Sequence, residues 1–216
     1  MVTVMIGVGG TGGRIVNRIV EAGRMGSHFA AIDTDREELD ECLAGTKLQI
    51  GQQWSFGYGV VVAEVGARAA LEASMEIGKL CRKSVVVAAG LGAGTGTGAG
   101  PVVAAIAKAC SCEVTAVVTM PFPFEGRERQ RQAAEGLPKW EVDRLVTVPL
   151  GDMMPMLERS KPLRAAFEMG ASVAAKAVEL LPSLLTQSGP QNTEVVDVQA
   201  LLSLVIEQQR GRIKHR

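Results

Sequence analysis

The sequence predicts an α/β protein, a three-layer sandwich on a mainly parallel, Rossmann-like sheet. Three observations point there. Short β-branched runs recur along the chain, and two of them end in glycine-rich turns. Each of those two turns opens a helix with a one-sided apolar stripe. Aromatics are scarce, with five Phe, two Trp and one Tyr in 216 residues. The interior must then be built from Val, Ala, Leu, Ile and Met, the palette of buried parallel strands covered by helices.

Residues 2–8 form the first apolar run, and from Gly13 to Arg24 the apolar positions Ile15, Val16, Ile19 and Val20 share one helical face. Phe29–Asp33 is the next strand, completing a βαβ unit. A looser stretch with Gly51, Gly57 and Gly59 follows. Val62 to Leu80 reads as one amphipathic helix, with Val65, Ala69, Ala73 and Ile77 on its apolar side. Ser84–Gly90 is a third strand, leading into a second glycine loop and a helix that begins at Pro101, a residue suited to a first helical turn. Glu113–Thr119 and Leu145–Val148 are further strands. Leu163–Leu185 is a long apolar helix in which Pro182 should distort the last turns. Gln187–Gln191 reads as a turn and Val198–Gln209 as a final helix. The expected organisation is one domain over 1–216, including a core helix at about 161–186 and a functional segment at 187–197.

Lys+Arg and Asp+Glu both total 23, so the formal charge is zero and gives no reason to expect nucleic acid or an anionic membrane as partner. The basic residues of 210–216 read as a solvated terminus. Cys42, Cys81, Cys110 and Cys112 make no Cys-x-x-Cys pair and read as reduced apolar residues of a cytoplasmic protein. No apolar run is long enough to span a membrane.

The chemistry lies in two glycine loops. Gly7–Gly13 follows a strand and opens a helix, where exposed amides and the helix dipole make a phosphate site. Gly7, Gly9 and Gly12 also fit Gly-x-Gly-x-x-Gly, and Asp33 stands about 20 residues on, as in an NAD enzyme. Gly90–Gly100 is a second such loop, six glycines in eleven residues with Thr95 and Thr97 between them. Two converging anion sites suit a triphosphate better than one pyrophosphate, which weighs against NAD. Gly-x-x-x-x-Gly-Lys-Ser/Thr does not occur and neither loop contains a lysine, so amides, helix starts and Mg²⁺ would have to balance the phosphate charge.

Gly92-Ala-Gly-Thr-Gly-Thr-Gly-Ala-Gly-Pro101 resembles the glycine-threonine signature of the tubulin/FtsZ family. Ile6 through Gly23, Ala31–Asp35, Leu48–Gly51, Glu64–Gly66 and Pro121–Arg127 resemble other FtsZ segments, in the same order. The resemblance runs from residue 2 to about 200. It implies GTP or GDP, with Mg²⁺, held by Gly9, Gly10, Thr11 and Asn17 of the first loop and helix. Gly94, Thr95, Gly96 and Thr97 would hold phosphate from the second loop. Glu125 matches a ribose-contacting acid, Arg129 a phosphate-side arginine, and Phe167 an aromatic beside the base.

Asn192-Thr-Glu194-Val-Val-Asp197 aligns on the family's Asn-x-Asp-Phe-x-Asp. There, carboxylates act on the γ-phosphate held by the next subunit of a head-to-tail filament, so hydrolysis awaits assembly. Asn192, Glu194 and Asp197 are the catalytic candidates, and the same acids also suit a helix N-terminal cap. Ala171 stands where the family has a guanine-reading aspartate, Pro149-Leu150-Gly151 replaces Pro-Asn-Asp, and Gly57–Val62 replaces a Gly-Ala-Gly-Ala-Asn-Pro-like run. The resemblance leads to the expectation of a chain without the family's C-terminal domain. The implied protein is a GTPase that assembles with itself head to tail. The alternative is a nucleotide-binding assembly or regulatory module with little hydrolysis, acting with a full-length FtsZ.

Overall fold

A computed structural model describes residues 3–23, 27–157, 162–187 and 193–214. Strand β1 (Thr3–Val8) runs into helix α1 (Gly9–Glu21), and β2 (Ser27–Asp33) leads through α2 (Arg36–Glu41) to β3 (Thr46–Gln49). A one-turn helix α3 (Gln52–Ser55), α4 (Ala63–Glu72) and α5 (Ser74–Leu80) precede β4 (Ser84–Gly90). A π-type turn at Thr95–Ala99 opens α6 (Gly100–Ala109), followed by β5 (Glu113–Met120), α7 (Arg127–Gly136) and β6 (Arg144–Pro149). The long helix α8 (Leu163–Gln187), β7 (Thr193–Val195) and α9 (Val198–Lys214) complete the described chain.

Among the described residues seven strands form one sheet in the order β3-β2-β1-β4-β5-β6-β7, and every pairing is parallel. Alternation along each strand divides the core in two. Val85, Val87 and Ala89 of β4 face a layer shared with α4, α5 and α6, while Ala88 faces α1, α8 and α9. Burial on both faces explains why these strands read as continuous apolar runs rather than alternating ones.

Several details depart from the expected elements. Helix α1 begins at Gly9, so the first glycine loop is itself the first helical turn. The single helix expected over 62–80 breaks at Ala73 (φ −93°, ψ 18°), with no proline or glycine marking the step. Helix α8 ends at Gln187, two residues beyond the expected Leu185. The edge strand β3 is four mostly polar residues, and β7 is three residues long. Helix α7, with the sequence RERQRQAAEG, has almost no apolar stripe. Arg131 bridges Glu128 and Glu135 on its surface, one turn away on either side.

Candidate functional site

A cleft of about 1590 Å³ opens at the carboxyl ends of the central strands. Ligands of open parallel sheets bind at that edge, where the connections leave on opposite sides. Its floor comes from Gly9, Gly10 and Thr11 at the start of α1, and from Gly90–Ala93, Thr95 and Gly96 after β4. The two loops touch: a methyl group on Gly9 would lie 3.1 Å from the Gly96 nitrogen. Gly9 also holds φ +74°, a left-handed conformation that glycine adopts without strain. The first amides of α1 have no partner within the helix, so they and the helix dipole present positive charge to the floor.

A hydroxyl bond ties the loops behind this floor. Thr34 and Thr95 are both buried, and their hydroxyl oxygens are 2.9 Å apart. The Val60 amide donates to the Thr34 oxygen at 3.3 Å, and the Gly94 amide donates to the Val60 carbonyl at 3.0 Å. The second loop is therefore anchored to the turn after β2 and to the 57–62 segment. Gly66 and Gly98 let α4 press against it: a Cβ on Gly66 would strike the Gly94 carbonyl, and one on Gly98 the Ala63 carbonyl.

The candidate residues fall into separate groups. Gly9, Gly10, Thr11, Asn17, Thr95, Gly96, Glu125, Arg129 and Phe167 line the cleft together. Gly94 and Thr97 lie behind its surface. The Thr97 side chain is buried and its hydroxyl accepts the Gly92 amide at 2.8 Å, a bond inside the loop. Asn17 holds the chain after α2, donating to the Glu41 carbonyl at 3.2 Å and accepting the Leu43 amide at 2.6 Å. Glu125 accepts the Phe122 amide and the Arg129 guanidinium, both at 2.8 Å. Phe167 meets Phe122 and Phe124 edge-on, at 5.9 and 6.0 Å between ring centroids. Ala171 lines the same wall, 2 % exposed.

Asp197 is elsewhere. Its carboxylate accepts the Ala200 amide at 3.0 Å, capping α9. Glu194 lies in β7 opposite Val146, four residues before Leu150 at the cleft. At strand rise that is about 13 Å along the sheet. Asn192 falls outside the described residues.

Charged residues that the glycine motifs did not flag complete the walls. Arg14 pairs with Glu38 at 2.7 Å, and Arg18 pairs with Glu21 at 2.8 Å and with Glu168 of α8. Arg14 and Arg18 stand one turn apart on α1, a spacing visible in the sequence, but Glu38 and Glu168 are 24 and 150 residues from them. Among the described residues lining the cleft are eight carboxylates (Glu21, Asp33, Asp35, Glu38, Glu41, Glu125, Glu128, Glu168) and four arginines (Arg14, Arg18, Arg129, Arg164). Three of those arginines have a carboxylate within 2.8 Å and Arg164 one at 4.0 Å. The cleft therefore offers amides and helix starts at its floor, and walls with more acid than base.

Asp33 is 4 % exposed, and its carboxylate accepts the Thr34 amide at 2.7 Å and the Asp35 amide at 3.2 Å. Burial pushes its pKa up to about 6, against the lowering effect of those bonds. This carboxylate, which fits a ribose-binding acid by its position in the sequence, instead shapes its own turn. Asp35 caps α2 through the Glu37 amide at 2.9 Å and receives the Gly59 amide at 3.0 Å.

Comparison with known proteins agrees with this geometry. Residues 2–150 match the GTPase domain of the Tubulin/FtsZ family. The fold superimposes on an empty FtsZ dimer from M. jannaschii with a TM-score of 0.79 and 34% identity, over 93% of this chain and 60% of that one. It also superimposes on a GTPγS-bound protofilament of CetZ2 from Haloferax volcanii (TM-score 0.72, 25% identity, 85% and 59% coverage). GDP-bound monomeric CetZ1 from the same organism shares the fold at a TM-score of 0.75 and 24% identity, over 95% of this chain and 64% of that one. The chain spans about three-fifths of the length of these solved relatives. Among the described residues no helix is long and apolar enough to cross a membrane. By the match over most of its length, and by a parallel sheet with two touching glycine loops at its carboxyl edge, the chain belongs to the tubulin/FtsZ family.

Proposed function

We propose that the chain binds GTP or GDP in this cleft and assembles head to tail, with hydrolysis completed by acids of the neighbouring copy. The contact between the Gly9 and Gly96 loops is the observation that carries the reading. It brings two amide-rich turns to one point, as a chain of phosphates requires. In this reading Gly9, Gly10, Thr11, Thr95 and Gly96 bind phosphate, and Gly94 and Thr97 hold the second loop in shape. Glu125 and Arg129 face the ribose and phosphate side, Asn17 fixes the rim, and Phe167 offers its ring to the base.

The residues present fit a magnesium ion carried on the nucleotide. Among the described residues no group of three or more His, Cys, Asp or Glu side chains is arranged to hold a metal ion. The walls nevertheless supply carboxylates and the ligand supplies phosphate oxygens, the donors Mg²⁺ favours while it keeps several waters. Bound there, it would screen phosphate charge from the acidic walls. Asn192, Glu194 and Asp197 are the proposed catalytic set. The distance from the Glu194 backbone to the cleft supports action on a neighbour's nucleotide rather than on the chain's own.

One observation favours the second reading, a nucleotide-binding assembly or regulatory module with little hydrolysis that acts with a full-length relative. The Asp197 carboxylate is already occupied as a helix cap. Calorimetric titration with GDP, GTP and ATP, together with phosphate release over a protein concentration series, separates the two. Micromolar or tighter GDP binding with turnover per molecule that rises with concentration is expected. Binding with flat, negligible turnover would leave the module reading, and absence of nucleotide binding would overturn both.

A further inference from the structure

Three of the four cysteines meet at the edge of the sheet opposite the cleft. Cys81 ends α5, just before β4, while Cys110 ends α6 and Cys112 precedes β5. Ser111 between the latter two holds φ 59°, one of two left-handed non-glycine residues among those described. This tight turn leads from α6 into β5, and α6 packs against α5. A methyl group on Gly78 would lie 3.8 Å from the Cys110 sulfur, which places that sulfur against the last turn of α5. Cys81 stands at the end of the same turn, its thiol donating to the Ile77 carbonyl at 3.5 Å, and the Cys112 thiol donates to the Cys110 carbonyl at 3.8 Å.

The three sulfurs differ in access. Cys110 is exposed, Cys81 half-buried and Cys112 buried in the core layer beneath. Burial pushes the Cys81 thiol up to about 12 and the Cys112 thiol upward as well, which disfavours the thiolate form of both. The cluster is not among groups arranged to hold a metal ion, since the described residues contain none.

We propose that Cys81 and Cys110 form a reversible disulfide by exchange with a low-molecular-weight disulfide such as oxidised glutathione. The exposed Cys110 thiolate attacks one glutathione sulfur, the glutathione S–S bond breaks, and one glutathione leaves as thiolate and takes up a proton. The Cys81 sulfur, deprotonating as it reacts, then attacks the Cys110 sulfur of the mixed disulfide and expels the second glutathione. Two protein thiols lose two electrons and two protons, and one glutathione disulfide becomes two glutathione thiols. The bond staples the end of α5 to the α6–β5 turn without touching the cleft, and it holds whether or not the chain hydrolyses GTP.

The test incubates the native chain with millimolar oxidised glutathione, blocks free thiols with iodoacetamide and maps tryptic peptides without reduction. The expected product is the peptide Leu80–Arg82 joined to Ala109–Arg127, two hydrogens lighter than the sum, and released by dithiothreitol. Cys112→Ser should keep this crosslink, and Cys110→Ser should lose it. Cys81→Ser should accumulate glutathione on Cys110. Unmutated chain that carries glutathione on Cys110 with Cys81 still free to alkylate would overturn the proposal. So would a crosslink that survives Cys110→Ser. Fragmentation of the joined peptide from the unmutated chain decides the matter even if a variant folds poorly: the bond on Cys110 with iodoacetamide on Cys112 supports the proposal, and the bond on Cys112 overturns it.

Discussion

The hydroxyls of Thr34 and Thr95, 61 residues apart in sequence, lie 2.9 Å apart with both side chains buried. This bond couples the turn after β2 to the second glycine loop, and the Val60 amide joins it. Thr34→Val keeps the shape, removes the hydroxyl and leaves a buried hydroxyl and amide short of a partner. The expected cost is about 2 kcal/mol of stability in urea denaturation. GDP affinity should fall as well, because Thr95 lines the cleft. Unchanged affinity in a destabilised variant would show that the loop keeps its shape without this anchor.

The glycines of the two loops should separate into structural and ligand-facing positions. A Cβ on Gly96 strikes the Gly90 carbonyl, whereas one on Gly10 meets only the movable end of the Glu38 side chain. Gly96→Ala should therefore destabilise the fold by about 1–3 kcal/mol. Gly10→Ala should stay within about 0.5 kcal/mol of the parent stability, yet weaken GDP binding by crowding the approach to the first amides of α1. Denaturation and calorimetric titration of both variants check the pair.

Asp33 predicts a pH signature. Its folded pKa of about 6 is above the unfolded value of 3.8, so the folded state binds the proton more tightly. Its contribution to stability is then greatest below pH 4, falls as pH rises through 4 to 6, and levels off above. Asp33→Asn should be free of this loss. The stability difference, variant minus parent, should grow across that window by on the order of 2–3 kcal/mol. A difference that stays flat from pH 4 to 7 would mean that the carboxyl is not held in the environment described.

Asp197 can serve as cap, as catalyst, or as both. Asp197→Ala should lose about 1 kcal/mol of stability from the cap alone. If the proposed shared site is real, hydrolysis should also be lost while GDP binding is kept. Mixing this variant with Gly10→Ala should then restore part of the activity, since one kind of interface pairs an intact cleft with an intact acid. Turnover per folded molecule equal to the parent would confine Asp197 to capping.

The legible part of this protein was local. Val85–Val87 and Val114–Val118 announced buried strands, and the glycine runs announced the two turns that meet at the cleft. Edge strand β3 carried too little apolar signal to be read, because Thr46, Lys47 and Gln49 face a margin rather than a core. Helix α7 is stabilised by charge pairs around Arg131, which apolar periodicity does not report. The walls of the cleft were hidden for a different reason. Arg14 with Glu38, Arg18 with Glu168 and Thr34 with Thr95 are pairings that exist only once distant segments are side by side. Thr97 shows the converse limit: a hydroxyl in a phosphate-binding pattern closes its own loop through the Gly92 amide.

The strand order also governs how the chain can acquire its shape. Strand β1 is an inner strand, flanked by β2 and β4, and Thr3 must wait for Ser84 before its second edge is covered. Eighty-one residues separate that pair, and each further inner pairing is likewise closed across an intervening helix. Local contacts alone cannot complete this sheet, so folding should be slow relative to helical proteins of similar size. During synthesis an unpaired apolar edge on β1 is exposed until β4 has emerged. That interval is when a nascent chain of this topology is most vulnerable to pairing with the wrong strand.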